Sequence, residues 1–321
     1  RRAMLAGGIA ASFVASLGLG ALVGRLGRSA PKTAALPPHT MVASRPAPPR
    51  LMEEEPLPGD VYIPKADARV PTPQPRASQA TPPWLANAEP LVPAGGTPVV
   101  AIVIDDLGLD HARSERALAF PGAVTLAFMT YAEGLSRWAA AARAGRHELL
   151  VHVPMQPLSP QADPGPNALT TGLSEAEIRQ RLRWGLGRLD GYVGANNHMG
   201  SRFTENAAGM GVVMDELKAR GLLFLDSRTT AASACAPLAA ARDLPFAARN
   251  VFLDNEPSVP AVTRQIVALE DVARRHGSAI GIGHPHDGTL TALAEWLPTA
   301  TTRGVLVVPL TSAMRHGALR S

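Results

Sequence analysis

One arrangement recurs along residues 99–308, and few folds accommodate it: a short apolar run that stops on acids, amides or histidines. Run 99–104 stops on Asp105 and Asp106. Run 149–153 carries His152 near its end, and run 192–196 ends on Asn196 and leads into Asn197 and His198. Run 222–225 stops on Asp226, Ser227 and Arg228, and run 279–282 leads to His284, His286 and Asp287. Runs 124–129 and 305–308 complete the series. Apolar runs this short read as strands buried on both faces. Helical patterns lie between them, at 135–144, 174–189, 205–220 and 259–276. Ser174 and Glu177 spell a capping box, and Gly221 and Gly277 stand where the helices before them should stop. Strands alternating with helices imply a mostly parallel sheet, and about seven repeats favour a (β/α) barrel over an open sheet. The carboxyl ends of parallel strands share one face, so aspartates and histidines from five strands meet at one rim.

The first part of the chain cannot join that barrel. Residues 31–98 hold more than half of the chain's 30 prolines, a composition that cannot bury a core and predicts an extended, disordered linker. Before it, residues 3–24 carry no charge and are rich in Ala, Leu, Val and Gly. At about 1.5 Å per residue such a helix spans about 30 Å of hydrocarbon. Arg1 and Arg2 flank one end, Arg25 and Arg28 the other. The expected organisation is an uncleaved signal-anchor over 1–28 with its N-terminus in the cytoplasm, a Pro-rich linker over 29–96, and a globular domain over 97–315. Charge divides the same way. Residues 1–98 hold 10 Lys+Arg against 6 Asp+Glu, and residues 99–321 hold 21 of each. The excess of +4 therefore belongs to the tether, and no nucleic-acid partner is expected. The one cysteine, Cys235, excludes an intrachain disulfide and a cysteine metal cluster, and reads as a small buried residue.

Among the polar residues, adjacent carboxylates after a buried strand repel one another unless a cation or a proton lies between them. Asp105 and Asp106 are therefore unlike an ordinary turn. His152, in an apolar run, would pass for a core histidine but for sharing the rim with Asp106. Asp110 suits a helix cap, and Asp254-Asn255 a turn. His111, His147, His276 and His316 read as surface or helix-end residues, and Met129, Met155 and Met199 as packing. Carboxylate and imidazole converging on one rim suit a zinc-like divalent ion.

These segments resemble, in order, the motifs of the divergent polysaccharide deacetylases, relatives of the NodB-type carbohydrate esterases. IVIDDLG at 102–108 is similar to the first motif and HELLVHVPM at 147–155 to the second. GANNHMGSRFT at 194–204 resembles the third, which is highly characteristic. LDSRT at 225–229 and IGIGHPH at 280–286 resemble the last two. The resemblance covers roughly residues 97–315. It implies a (β/α) barrel of the deacetylase type, with irregular closure. It also implies that Asp105 is the general base, Asp106 and His152 are metal ligands, and His284 is the general acid. The sequence departs from the better-known relatives at Gln156, where they carry a second histidine four residues after the first. His198 is the expected replacement, with His286 a weaker candidate. Arg202, in the arginine-containing motif that usually orients the base, is displaced.

The implied chemistry is metal-dependent N-deacetylation of a cell-envelope glycan by a protein held at the inner membrane with its domain in the periplasm. Asp226 would hold His284 or a ligand in its tautomer, and Asn196, Asn197 and Arg228 would bind sugar hydroxyls. The alternative is a catalytically weak or inactive glycan-binding or scaffolding protein. A glycosidase using Asp105 and Asp226 fits the histidine-rich rim poorly.

Overall fold

The computed structural model describes residues 81–91, 96–121 and 124–318. The segment expected to cross a membrane lies outside these residues, as does most of the linker. Among the described residues no helix is long and apolar enough to span a bilayer.

In chain order the elements are α1 (Pro83–Ala86), β1 (Val99–Leu107), α2 (His111–Leu118), β2 (Thr125–Met129), α3 (Leu135–Ala144), β3 (Glu148–Met155) and α4 (Glu175–Leu186). They continue with β4 (Gly194–Met199), α5 (Ser201–Glu205), α6 (Ala207–Ala219), β5 (Leu223–Asp226), α7 (Cys235–Arg242), β6 (Phe246–Ala248) and β7 (Val251–Phe252). The last are α8 (Val259–His276), β8 (Ser278–Gly283), α9 (Asp287–Trp296), β9 (Leu306–Val307) and α10 (Leu310–Ala318). The strand order is β6-β5-β4-β3-β2-β1-β8-β7, with β9 against the start of β1. Every strand pairing is parallel.

The two edge strands of this sheet are neighbours in sequence, and that curls the sheet. The Arg249 backbone N–H donates to Asp226 O after β5, and the next residue, Asn250, donates to Ile280 O on β8. One stretch of chain thus touches both edges, making a (β/α) barrel with a seam spanned by residues 249 and 250. Arg249 braces that seam by donating from Nε to Ser227 O (2.7 Å) and from Nη2 to Arg228 O (2.9 Å).

Strand alternation sorts the core into two layers. Val99, Ala101, Val103, Leu150, Leu223, Leu225, Ile280 and Ile282 fill the barrel interior. Val100, Ile102, Ile104, Leu149, Val151 and Phe224 face the surrounding helices. The interior is narrow. A Cβ on Gly194 would lie 2.2 Å from Leu223 O, so only glycine lets β4 and β5 approach this closely.

Packing also begins before residue 97, where the globular domain was expected to start. Residues 81–91 pack at the amino ends of the strands, opposite the rim. Trp84 is buried with the interior cluster, and its backbone N–H donates to Gly221 O. Asn87 Nδ2 donates to Tyr192 O, the Glu89 N–H to Glu148 Oε1, and Ser312 Oγ to Leu91 O. A tryptophan with a barrel end to fill outweighs the disorder tendency of its proline neighbours.

Candidate active site

Each interior row of apolar side chains ends in a polar one at the carboxyl end of its strand. Val99, Ala101 and Val103 lead to Asp105, Leu150 leads to His152, and Ile280 and Ile282 lead to His284. On β4 the same face carries Gly194, Asn196 and His198. Register places Asn196 beside His152 and His198 beside Pro154.

Strand alternation should send Asp105 and Asp106 to opposite faces, but β1 breaks register between Ile104 and Leu107. Asp106 lies in the left-handed region (φ 57°), and Gly108 follows with φ 94°. This bulge turns Asp106 back toward the rim. The Asp106 Oδ1 atom lies 2.8 Å from His198 Nδ1 and 3.2 Å from His152 Nε2, and Asp105 Oδ2 lies 3.7 Å from His152 Nε2. The two rings face each other at 5.2 Å and 70°. Met199 (φ 51°) and Gly200 (φ 90°) then turn the chain away immediately beyond His198.

Asp106, His152 and His198 offer three ligand atoms within 4.8 Å of one another, and their surroundings fit a divalent cation. Asp106 Oδ1 is buried between two imidazoles without a hydrogen bond of good geometry. A buried carboxylate oxygen in that position needs a positive charge. Burial opposes the charged form of Asp106, yet His198 and His152 outweigh it and hold the carboxyl well below the usual range. Asp105 differs. Burial raises its carboxyl despite His152, His284 and the Asn196 hydrogen bond. The pair is thus split into a ligand-like carboxylate and a more basic neighbour.

A second group gathers Asp254, His284 and His286, and here the carboxylate is already satisfied. Asp254 Oδ2 accepts from the His284 backbone N–H (2.5 Å) and Thr289 Oγ1 (2.7 Å), and Oδ1 lies 3.1 Å from His284 Nδ1. This is an oriented imidazole rather than an orphaned ligand set. Phe252 lies beside His284 with the ring centres 5.4 Å apart and tilted by 59°, and the Arg249 guanidinium is 5.0 Å from the Phe252 ring centre. Polar Asp105, His152, Asn197, His198, Ser227, Thr229 and His284 line one depression together with apolar Met199, Phe252 and Ile282. A larger hollow on the outer helices, lined by Thr263, Val267, Glu295, Trp296 and Arg303, holds none of the rim residues.

Several expectations change. Asp226 does not hold His284. It accepts from the Arg228 N–H and from Ser233 Oγ, and Asp254, read as a turn, takes the orienting position. Asp254 was hidden because its run is short: β7 has two residues. The amides of Asn196 and Asn197, expected at sugar hydroxyls, have protein partners. Asn196 bridges Asp105 and His152, and Asn197 ties Met199 O to the Ser227 N–H. Arg228 sits at a left-handed turn (φ 57°) whose carbonyl Arg249 holds. His286 belongs to the Asp254 group and not to the Asp106 group. Gln156 turns away, accepting from the Thr171 N–H and Oγ1. Arg202 is exposed on α5. His147 is buried, with its ring nitrogens at the carbonyls of Val124 and Leu118, and His316 is buried too. Asp110 caps α2, as its position suggested.

Residues 102–314 match the family model described as divergent polysaccharide deacetylase. The uncharacterized protein YibQ of Escherichia coli K12 is 37% identical over 196 residues, which is 61% of this chain and 61% of that protein. An uncharacterized Haemophilus influenzae protein is 35% identical over 200 residues, 62% of this chain and 70% of its own length. The match thus spans under two thirds of the Escherichia coli relative. The crystal structure of the uncharacterized protein ATU2773 from Agrobacterium tumefaciens superposes with a TM-score of 0.70 at 34% identity. That superposition covers 72% of this chain and 94% of that one.

Proposed function

The chain belongs to the divergent polysaccharide deacetylase family, and from that premise we propose that it is a metal-dependent N-deacetylase of a cell-envelope glycan, built on a NodB-like barrel. The observation that carries this reading is the buried Asp106 Oδ1, flanked by two imidazoles and lacking a well-formed hydrogen bond. Asp106, His152 and His198 would hold the divalent ion, with zinc the best match to one carboxylate and two imidazoles. When bound, the ion supplies Lewis acidity, which makes water acidic near neutral pH and polarises a carbonyl oxygen.

The protein's own groups do the rest. Asp105, buried beside that position and with its carboxyl raised, accepts a proton from water as the water adds to the acetamido carbon. His284, held by Asp254, gives a proton to the departing nitrogen as the C–N bond breaks, leaving acetate and a free amine. Phe252, Ile282 and Met199 exclude water around the reacting carbonyl. The domain's balanced charge suits a neutral glycan, and the apolar N-terminal segment would hold it at the inner membrane, facing the periplasm.

The test is acetate release from chitin oligomers and peptidoglycan fragments by the full chain. Asp105→Asn should abolish release while retaining the metal. An Asp105→Asn protein as active as the parent would overturn the assignment of the base. Glycan binding without acetate release by the parent would favour a binding or scaffolding role.

A further inference from the structure

We propose that Asn196 is a positioning residue that couples the base to the metal centre, setting the geometry of Asp105 and the tautomer of His152 through one amide. Asn196 is fully buried between them. Its Nδ2 donates to Asp105 Oδ1 at 2.8 Å, and more weakly to Ser227 Oγ at 3.3 Å. Its Oδ1 lies 2.8 Å from His152 Nδ1.

A carboxylate only accepts, so the NH₂ end of Asn196 must face Asp105 and the carbonyl end must face His152. An amide carbonyl also only accepts, so His152 Nδ1 must carry the proton. That leaves the lone pair of His152 on Nε2, the nitrogen 3.2 Å from Asp106 Oδ1. One side chain thus dictates which nitrogen of His152 is free to ligate and where the basic carboxylate points. Outer hydrogen bonds of this kind typically change metal affinity about 10–100-fold when removed.

The arrangement also explains why no arginine is needed beside the base. The side chains with the largest effect on Asp105 are His152, His284, Asn196 and Asp106. Two carboxylates already balance one divalent ion, so a neutral orienting group leaves the centre uncharged. The strand register requires a residue at this place to face inward, because Asn196 pairs with His152 across β3 and β4.

This inference rests on the deacetylase reading for its turnover arm only, and two variants of the full chain separate its parts. Asn196→Ala removes both hydrogen bonds. Asn196→Asp keeps an acceptor for His152 and removes the donor to Asp105. Zinc affinity by competition titration should fall about 10–100-fold in Asn196→Ala and should not weaken in Asn196→Asp. Acetate release at saturating zinc should fall at least about tenfold in both, with kcat affected rather than KM, as for a group that positions the base. Circular dichroism melts establish that each variant folds. A folded Asn196→Ala that binds zinc as the parent does, or a folded Asn196→Asp whose zinc affinity drops equally, would overturn the coupling. If the parent releases no acetate, the deacetylase reading fails and the zinc arm still decides the role of Asn196.

Discussion

At the scale of single residues, burial assigns different work to chemically alike groups. Asp105, Asp226, Asp254 and Glu148 are buried acids and Asp106 is half-buried, and of the five only Asp106 has a buried oxygen without a well-formed hydrogen bond. Glu148, at the opposite end of the barrel, receives Thr311 through both its N–H and its hydroxyl, and also the Glu89 N–H. Burial outweighs these donors and pushes its carboxyl up to about 7. The folded state therefore holds a proton on Glu148 that the unfolded chain releases near its ordinary value. Stability from this group is present below that value and is lost as pH rises toward 7. The loss should reach about 3 kcal/mol. Urea midpoints of the parent and Glu148→Gln at pH 5 and pH 8 check it, because the variant should lose less stability across that interval. Cys235 is a simpler case: burial pushes its thiol well up, so it should resist thiol reagents until the protein unfolds. Asp105, Asp106, His152 and His284 were legible in the sequence because each ends an apolar run. Asp254 was not, because its partner His284 is thirty residues away and neither contact leaves a local pattern.

At the scale of elements, the rim depends on two breaks in regular geometry. The bulge in β1 and the left-handed turn after His198 bring residues from different strand faces to one point. Neither is visible in apolar periodicity, which explains why Asp105 and Asp106 were expected beyond the strand and are found at its irregular end. Three helices were read well: Leu135–Ala144 and Val259–His276 stand where expected, and Ser174 and Glu177 form their capping box at the start of the third. Ser174→Ala should cost about 1 kcal/mol in a denaturation experiment. The loop after β3 shows what replaced the missing histidine. Gln156 holds Thr171 at the far end of that loop, and Leu158 donates to Ser201 Oγ at the start of α5. Gln156→Ala should leave zinc affinity unchanged while the amides of residues 157–171 exchange hydrogen faster, a separation that mass-detected exchange resolves.

At the scale of the whole molecule, the barrel has a working end and a sealed end. The carboxyl ends of the strands carry the rim, and the amino ends are closed by Trp84 and the residues around it. The parallel-strand (β/α) architecture was legible in the sequence because strands alternating with helices enforce it. Composition alone did not show that Trp84, among prolines, packs with the interior cluster. Trp84→Ala should lower stability by about 3–5 kcal/mol, read from the denaturant midpoint, without altering metal affinity. The central claim is that Asp106, His152 and His198 hold a divalent ion between the base and the acid. Anomalous diffraction at the zinc edge from crystals of the zinc-loaded protein tests it most directly. One strong peak should lie about 2.0–2.2 Å from an Asp106 carboxylate oxygen, His152 Nε2 and a His198 nitrogen. An empty position there, or a peak seated among Asp254, His284 and His286 instead, would contradict it.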